Sequence, residues 1–427
     1  TWDVGRESRG AMNRRLSRDE AWRLTGALLL LAALVLRSGP LAVLGAGLLV
    51  AALTVGLWGR YALRGVTYRR HLGEQRAAFG EVLPFSVEID NRKLLPLPWL
   101  EADDSLPVGL ELVGRTLRPE RGTGRASLRQ VLSLGWFERV RLRYRLRCGA
   151  RGAFTLGPVR LASGDPFGFA AREVHLGVLD RLLVYPMVLP LSALGLPSRH
   201  PFGDGPDRRR LFDDPARLAG VRPYVAGDSP RHIHWKASAR QQALQTRIYE
   251  PTTSHTLMLY LNLASFEGYW WAALNRDLLE LSIVAAASVA SWGLEQGYHV
   301  GLATNGSPAG GGDEIGIAPA AGAQHRVRLL EALARVSQFA RTPLEGMLRR
   351  DRTRLPWGTT VVVVTAVLSP TILAALDALR GGGHAPAVLL VGGQSPPASP
   401  GLPVFHIPED VPWTDLPSIA PAPAPAG

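Results

Sequence analysis

The second of two apolar stretches near the start of the chain constrains the fold most. It runs from Leu41 to Trp58 without a charged residue. As a helix it would be about 27 Å long, which is about the hydrocarbon thickness of a bilayer. We therefore expect this stretch to span a membrane.

The first apolar stretch, Leu24 to Leu36, precedes it and is separated from it by the tight turn at residues 37–40. It is shorter, and it spans a bilayer only if Ala21, Trp22 and a snorkelling Arg23 complete its end. A secretory signal peptide and a buried hairpin of a soluble protein are the alternatives. A second apolar stretch four residues later favours a transmembrane helical hairpin over residues 21–59.

Arginine placement predicts the orientation of this hairpin. Basic residues precede it in the N-terminal segment 1–20 and follow it, whereas the connecting turn carries Arg37 alone; the flanking arginines are Arg6, Arg9, Arg14, Arg15, Arg18, Arg23, Arg60, Arg64, Arg69 and Arg70. Both ends should face the cytoplasm. The net charge of +12 therefore points to membrane orientation rather than to nucleic-acid binding. Only two of the 48 basic residues are lysines, which indicates a coding bias. Thr1 rather than methionine opens the sequence, which fits further residues upstream.

The middle of the chain has the pattern of short strands. Phe85, Val87 and Ile89 alternate with polar residues, and residues 140–147 alternate apolar side chains with Arg141, Arg143, Arg145 and Arg147. This pattern predicts an antiparallel β-sandwich over residues 66–190. The arginine row fits a solvated strand face, with lipid headgroups, an acidic partner or nucleic acid as alternatives. The lone Cys148 excludes an intramolecular disulfide framework and a cysteine-based zinc site.

Buried strands alternate with helices over residues 255–412. We predict strands at 256–263, 299–304, 359–365 and 387–391, and helices at 271–296, 326–339 and 370–379. The alternation predicts a largely parallel, doubly wound α/β sheet. We expect the tail at residues 413–427, which ends in APAPAPAG, to be disordered. The fold class is thus α+β and multidomain.

A polar and aromatic signature lies in the linker at residues 191–254, just before that domain. It reads as strand, turn, short helix and strand, and comprises Arg222, Tyr224, Gly227, Asp228, Arg231, Trp235, Lys236 and Arg240. The helix cations could bind a phosphate or a carboxylate-bearing peptide. We favour a structural role, in which they pair with Asp228 and Glu250 and fix a domain junction.

These residues resemble the hallmark of the bacterial family known as domain of unknown function 58. The resemblance extends through VTYRRHL at Val66, NRKLLPLPWLEADDSLP at Asn91, RGAFTLGPV at Arg151, DPFGF at Asp165 and VYPMVLPL at Val184. It implies two N-terminal spans, a β-sandwich and a von Willebrand factor A-like domain. It further implies a non-enzymatic accessory protein, anchored in the bacterial inner membrane, whose cytoplasmic domains associate with a MoxR-type AAA+ ATPase.

Two features of the resemblance are altered in this chain. His234 stands where the family often has an acidic residue. His232 and His234 are two residues apart, and on a helix this spacing points them to different sides, which does not suggest a metal site. The implied Mg²⁺ motif, Asp-x-Ser-x-Ser, is replaced by Asn262, Ala264 and Phe266, and Ala366 follows the strand where an aspartate is common. Mg²⁺ prefers hard, charged oxygen ligands. We predict neither a metal site nor a cofactor.

The leading functional hypothesis is a membrane-anchored scaffold that binds protein partners in envelope-associated assembly or maturation. The alternatives are nucleic-acid or anionic-lipid binding through arginine-rich surfaces, and an unrecognised enzyme. The chain has no GxxxxGK[ST], GxSxG or HExxH motif, which weighs against common catalytic classes.

Overall fold

The computed structural model describes residues 18–166, 171–197, 213–225, 228, 230–251, 256–269, 271, 275–393, 401–410 and 414. Outside these residues lie most of the basic N-terminus, the tail from residue 415 and Gly227, and the side chains of Arg231 and Glu250 are likewise not described. Internal contacts divide the chain into two units. The first comprises Thr1–Gly149 and Phe154–Leu182, and the second comprises Ala150–Ala153 and Leu183–Gly427.

Two apolar helices form a closely packed hairpin at the start of the first unit. Helix α1 spans Arg18–Leu36 and α2 spans Gly39–Tyr61. The buried residues of α2 are all small: Gly45, Ala52, Gly56 and Gly59. A Cβ added at Gly45 would lie 2.9 Å from the backbone nitrogen of Leu30, so the two backbones meet where the side chain is a hydrogen atom. Such contacts are typical of helix packing in membranes.

The rest of the hairpin surface is apolar and exposed. Leu34 is 77% and Val43 is 75% exposed. The most apolar 18-residue segment of α2 has a mean hydropathy of 2.2, and only 11% of that segment is buried. Length and composition would let α2 cross a bilayer, and α1 contributes the shorter apolar helix Trp22–Leu36. These helices suggest membrane association.

Antiparallel strands make up the remainder of the first unit. The bounds are β1 Val66–Leu72, β2 Arg76–Ala77, β3 Val82–Asn91, β4 Leu97–Pro107, β5 Leu110–Leu112, β6 Arg118–Glu120, β7 Arg125–Leu134, β8 Arg139–Cys148, β9 Gly152–Leu156, β10 Val159–Gly164, β11 Ala171–Leu176 and β12 Asp180–Val184. One sheet has the order β1-β3-β8-β5 and another β11-β10-β4-β7-β6, and a three-stranded sheet has the order β2-β12-β9. The apolar residues of the alternation predicted in β3, which are Phe85, Val87 and Ile89, are almost completely buried.

The second unit contains a β-hairpin with a short helix, which is followed by alternating strands and helices. Its elements are β13 Asp213–Pro223, α3 Trp235–Gln241, β14 Gln245–Pro251, β15 Thr256–Leu261, α4 Arg276–Glu295, β16 His299–Thr304, β17 Gly306–Pro308, β18 Gly316–Ala320, α5 Ala323–Arg335, β19 Val336–Ala340, α6 Leu344–Asp351, β20 Thr360–Thr365, α7 Pro370–Gly381, β21 Ala385–Val391 and β22 Val404–Ile407, with short 3-10 turns at Leu191–Leu194 and Pro230–His232. Strands β13 and β14 pair with each other, as do β17 and β19.

A six-stranded sheet with the order β18-β16-β15-β20-β21-β22 is the centre of this unit. All neighbouring strands run parallel except the edge strand β18. Met258 and Tyr260 pack with residues of α6 and α7 on one face. Leu257 and Val300 lie beside Gly293 of α4 on the other face. Helix α4 is long and apolar enough to span a bilayer, but 78% of its most apolar 18-residue segment is buried. Its apolar side chains therefore belong to the core of this unit.

The largest differences from the predicted element boundaries are at two helices. The helix predicted over 271–296 begins at Arg276, because the Asn275 side chain accepts hydrogen bonds from the backbone of Asp277 and Leu278 and caps it. The helix predicted over 326–339 ends at Arg335, so the prediction is wrong for its last turn. Val336 turns to extended geometry, with φ −56° and ψ 124°, and opens β19.

Candidate functional site

The signature folds into a two-stranded hairpin that carries a short helix. Strands β13 and β14 are antiparallel, with Arg222 opposite Thr246. Ile233 forms an isolated bridge to Thr246, and the His234 backbone nitrogen donates to Gln245. Ser238 closes the arrangement, since its hydroxyl donates to the His234 carbonyl and accepts from the Gln245 backbone nitrogen. Helix α3 is therefore fastened to β14 at its N-cap and at its middle.

Asp228 is the polar centre of this hairpin. Its two carboxylate oxygens each accept a hydrogen bond of 2.7 Å from the Arg222 guanidinium. One of them also accepts from the Val225 backbone nitrogen at 3.0 Å and the Thr246 hydroxyl at 3.2 Å. The Arg222 hydrogen bonds, followed by that of Val225, lower the pKa of Asp228 from 3.8 to about 2. The Tyr224 hydroxyl donates to the Asp228 carbonyl at 3.3 Å.

The structure thus divides the signature into two groups. Arg222, Tyr224 and Asp228 come together and hold the turn. Trp235, Lys236 and Arg240 do not join them: all three are exposed on α3, and the two cations form no ion pair with any described residue. This differs from the predicted pairing of the helix cations with Asp228, because Arg222 on the neighbouring strand already occupies both carboxylate oxygens.

His234 performs the task that an acidic residue would perform at its position. Its Nδ1 accepts a hydrogen bond of 3.1 Å from the Ala237 backbone nitrogen, which makes His234 the N-cap of α3. An aspartate there would accept the same bond. The substitution from the family pattern therefore preserves the cap.

A neutral hydrogen-bond chain occupies the carboxyl end of the parallel sheet, where the resemblance implies Mg²⁺. The Leu263 backbone nitrogen donates to Asn305 Oδ1 at 3.0 Å, and Asn305 Nδ2 donates to Asn262 Oδ1 at 2.9 Å. Asn262 Nδ2 donates to Thr365 Oγ1 at 3.0 Å, and Thr365 Oγ1 donates to the Val367 carbonyl at 2.7 Å. A backbone donor starts this amide chain and a backbone acceptor ends it, so every amide orientation in it is determined.

The residues at this edge do not fit a divalent cation. Asn262 and Ala264 are 4% exposed, and Asn262 Oδ1 is already bonded to the Ala264 nitrogen and to Asn305. Phe266 is 49% exposed and offers no ligand atom, while Tyr269 and Trp271 beside it stack edge to face. Within the described residues no group of three His, Cys, Asp or Glu side chains could hold a metal ion.

Sequence reasoning missed two buried arginines that lie inside the motifs quoted above. Arg70 donates to both oxygens of Asp104 at 2.7 and 2.8 Å, and to Asp180 at 2.8 Å. The Tyr68 hydroxyl adds a bond of 2.7 Å to Asp104. Burial, reinforced by the Asp104 charge, raises the pKa of Tyr68 far above its usual range, so this phenol remains a donor.

Arg151 opens the RGAFTLGPV motif and is the second of these arginines. Its guanidinium forms two bonds with Glu280 of α4, of 2.8 and 3.1 Å. Its Nη1 donates to the carbonyls of Leu333, Ala334 and Val336 at 3.1–3.2 Å. Carbonyls in the last turn of a helix lack the usual intrahelical donors. At the end of α5, Arg151 donates to these carbonyls. The only sequence signal for this role was the arginine at the start of the RGAFTLGPV motif.

The arginine row on β8 is partly neutralised. Arg139 and Arg141 form ion pairs with Glu88 and Asp90 of β3, the shortest being 2.8 Å between Arg141 and Glu88. Arg143, Arg145 and Arg147 are exposed and form no ion pair within the part of the chain that the structure describes. The continuous cationic face that a nucleic-acid site requires is therefore shortened.

Comparison with known proteins supports the resemblance stated from sequence. Residues 220–393 match the family described as "Protein of unknown function DUF58". The chain is 27% identical over 302 residues to "Uncharacterized protein YeaD" of Bacillus subtilis (strain 168), a match that covers 70% of this chain and 69% of that protein.

Solved structures overlap with smaller parts of the chain. The CARDB domain of the PF1109 protein from Pyrococcus furiosus is 11% identical, with a TM-score of 0.19 and coverage of 28% of this chain and 91% of that chain. Spo0M, a sporulation control protein from Bacillus subtilis, is 12% identical, with a TM-score of 0.18 and coverage of 31% and 55%. Scores this low carry no argument about the fold. The signature residues 222–240 and most of the parallel-sheet region thus lie within the segment that is similar to the DUF58 family.

Proposed function

We propose that this protein is a membrane-anchored cytoplasmic adaptor of the bacterial inner membrane, which binds a MoxR-type AAA+ ATPase in envelope-associated assembly or maturation. In this proposal the α1–α2 hairpin is the anchor and the antiparallel sheets of the first unit form a β-sandwich. The parallel sheet of the second unit is a von Willebrand factor A-like domain. The proposal assigns no catalytic step to the chain.

The observation that carries the proposal is the exposed face of α3, which comprises Trp235, Lys236, Ala239 and Arg240. Trp235 is 67% exposed, and the other three are exposed as well. Lys236 and Arg240 are four residues apart, so their like charges repel on the helix surface and cost about 0.2–0.5 kcal/mol. A short helix that keeps this pair and an exposed indole has the features of a binding surface.

The chemistry of this α3 face indicates an acidic partner segment. Arg222 already neutralises Asp228, so the charges of Lys236 and Arg240 remain available to another molecule. A carboxylate bound between the two cations would relieve their repulsion. The indole of Trp235 would add apolar contact area beside it, as aromatic anchors do at interfaces. The α3 face is held rigidly, because Ser238 and His234 attach the helix to β14.

The carboxyl edge of the parallel sheet supports a binding role without a metal ion. The amide chain through Asn262, Asn305 and Thr365 uses the polar atoms there for internal hydrogen bonds. Specificity in this proposal comes from side chains on α3 and not from a cation that bridges to the partner.

Charge reversal on α3 tests the proposal. The full chain in lipid nanodiscs is titrated with the purified MoxR-type ATPase from the same organism. Lys236→Glu combined with Arg240→Glu should weaken binding at least about tenfold, because two attractive contacts become repulsive. A photocrosslinker placed at Ala239 should capture the ATPase in native membranes.

The matched control reverses Arg143 and Arg145, which are also exposed arginines without an ion pair in the described region. This control should bind as the unaltered chain does. Equal affinity of the α3 variant and the unaltered chain would refute the docking face. Affinity purification that recovers only lipid or nucleic acid, with no reproducible protein partner, would contradict the adaptor role itself.

A further inference from the structure

One end of the β1-β3-β8-β5 sheet lies next to the end of helix α2. The chain leaves α2 at Tyr61 and enters β1 at Val66, which is paired with Asn91 at the end of β3. The Arg92 backbone nitrogen donates to the Gly65 carbonyl at 2.9 Å. Asp90 is in turn paired with Arg139 at the start of β8. The β3–β4 turn and the β7–β8 turn therefore both lie at the end of the sheet that adjoins α2.

These two turns, at residues 92–96 and 135–138, are called the paired turns because Asn91 joins them. Asn91 is fully buried, and its Nδ2 donates to the Leu95 carbonyl at 3.0 Å and to the Gly135 carbonyl at 2.7 Å. The Phe137 backbone nitrogen donates to the Lys93 carbonyl at 3.2 Å. A side chain that bonds both turns holds them in a fixed mutual position.

The paired turns present large apolar side chains to the exterior. Leu94 is 72%, Trp136 is 69% and Phe137 is 64% exposed. Phe137 also has a φ of 50°, a left-handed conformation that a bulky residue adopts only at a cost in free energy. A turn built for folding alone would favour glycine or asparagine there. An exposed aromatic residue kept in a strained position points to a binding role.

Basic residues lie in one of these turns and at the end of α2. Lys93 lies in one turn and its Nζ donates to Asn91 Oδ1 at 2.8 Å. Arg64 stacks over the Tyr61 ring at 4.9 Å, where α2 ends, and Arg60 is exposed one residue earlier. Of the two acids nearby, Asp90 pairs with Arg92 and Arg139, whereas Glu138 is exposed and accepts a hydrogen bond from the Gly135 nitrogen. Aromatic and basic residues in this combination are typical of the interfacial layer of a membrane.

We propose that the paired turns form a second membrane contact, in which Leu94, Trp136 and Phe137 enter the interfacial layer of the bilayer beside the cytoplasmic end of α2. The inference rests on the membrane anchorage put forward under Proposed function. The occupant is phospholipid, because the turns lie beside the end of α2, where the chain leaves the apolar hairpin. The exposed Arg60 and Arg64 there favour anionic headgroups. This contact would fix the tilt of the first unit on the membrane surface.

Spin labels on the full chain test this contact. Single cysteines are introduced by Trp136→Cys, Val108→Cys and Val50→Cys, each at an exposed side chain, and the protein is reconstituted in vesicles of phosphatidylcholine and phosphatidylglycerol. The native Cys148 does not interfere, since it is buried and burial, with a smaller contribution from Glu81, raises the pKa of its thiol to about 11. The unaltered chain measures any residual labelling.

The accessibility of each label to oxygen, relative to a water-soluble nickel complex, reports its depth. Val108 follows β4 at Pro107, at the opposite end of the strand from the paired turns, and serves as the control in water. We expect the ratio at residue 136 to be several-fold above that at residue 108 and below that at residue 50 in the middle of α2. Removing phosphatidylglycerol should lower the ratio at residue 136.

The outcomes separate the inference from the anchorage on which it rests. If the label at residue 50 lies in the hydrocarbon but the label at residue 136 is as accessible to the nickel complex as that at residue 108, the membrane contact is overturned. The anchorage is not affected by that result. A label at residue 50 in water overturns both. Phe137→Ser is the second variant: it should make a label at residue 136 more accessible to nickel, and an unchanged value contradicts the contact.

Discussion

At the scale of single residues, buried arginines explain several motifs that the sequence displays but does not interpret. Arg70 joins the VTYRRHL motif to Asp104, which lies 34 positions away. Arg151 joins its own motif to Glu280, which lies 129 positions away. An arginine next to an apolar strand looks the same in sequence whether it faces water or a distant carboxylate. Such pairs therefore cannot be predicted from local pattern.

Arg151→Ala should destabilise the second unit strongly. It leaves Glu280 without its partner and removes the guanidinium donor from the carbonyls of Leu333, Ala334 and Val336, of which Leu333 keeps the Val336 backbone nitrogen. Breaking a buried ion pair costs about 3–5 kcal/mol. Hydrogen exchange should show a loss of that order in the opening free energy of α5.

Arg335→Ala is the matched control, because Arg335 lies in the last turn of the same helix but is exposed. Its effect should remain within about 0.5 kcal/mol. Similar losses for the two variants would show that Arg151 acts as a general cation near the helix end and not through these bonds.

The signature shows how far residue-level reasoning reaches. Its turn and short helix follow from proline and glycine placement, and the structure places α3 at Trp235–Gln241. The partner of Asp228 could not be read from spacing, because five arginines and lysines lie within twelve residues of it. The hairpin register decides the matter, since it sets Arg222 opposite Thr246 beside the carboxylate.

At the scale of elements, continuous apolar runs and strict alternation gave reliable predictions. Residues 140–147 alternate in exposure as the sequence indicates, and β16 coincides with the predicted strand at 299–304. The edge strand β18 and the short helix α6 were not predicted. Each is five to eight residues long, and elements of this length acquire stability from tertiary packing rather than from their own pattern.

Gly45 and Gly47 of α2 differ in how closely α1 approaches them. Gly45→Val should separate the two helices, because a Cβ at this position lies 2.9 Å from the Leu30 nitrogen, a backbone atom that cannot turn aside. Gly47→Val should be tolerated, since a Cβ there meets nothing within 4 Å. Thermal unfolding in detergent should give a clearly lower midpoint for Gly45→Val alone.

The same pair of variants distinguishes close packing from helix propensity. Replacing glycine by valine changes helix propensity to a similar extent at both positions, so an equal decrease in the two midpoints would contradict the packing argument. An inter-helix distance measured between labels at residues 31 and 44 should increase only in Gly45→Val.

At the scale of the whole molecule, the pattern of the chain predicted a mixed α/β protein with an apolar hairpin and a largely parallel sheet. The division into two compact units follows from contacts that no local pattern encodes. The membrane orientation, the sandwich and the von Willebrand factor A-like arrangement remain predictions.

Divalent cations should leave the molecule unchanged. The amide chain at the sheet edge is complete without an ion, so calorimetric titration with Mg²⁺ should give no binding tighter than millimolar, and a chelator should not shift the unfolding midpoint. Tighter binding that Asn262→Ala abolishes would overturn this prediction. Asn305→Ala is a second variant that should lower stability equally with and without Mg²⁺, because it removes the acceptor of the Leu263 nitrogen and one of the two donors to Asn262 Oδ1.

The buried Arg70 also limits how chains of this kind can diverge. Its guanidinium is held by Asp104 and Asp180 and is itself inaccessible to water. Replacing Arg70 or Asp104 alone leaves a charge stranded in the interior, whereas replacing both with apolar residues of similar volume can be neutral. Homologous chains should therefore either retain Arg70 and Asp104 together or lose both together. Sequences with only one of the two should be rare among functional descendants, and those that exist should carry a compensating change nearby.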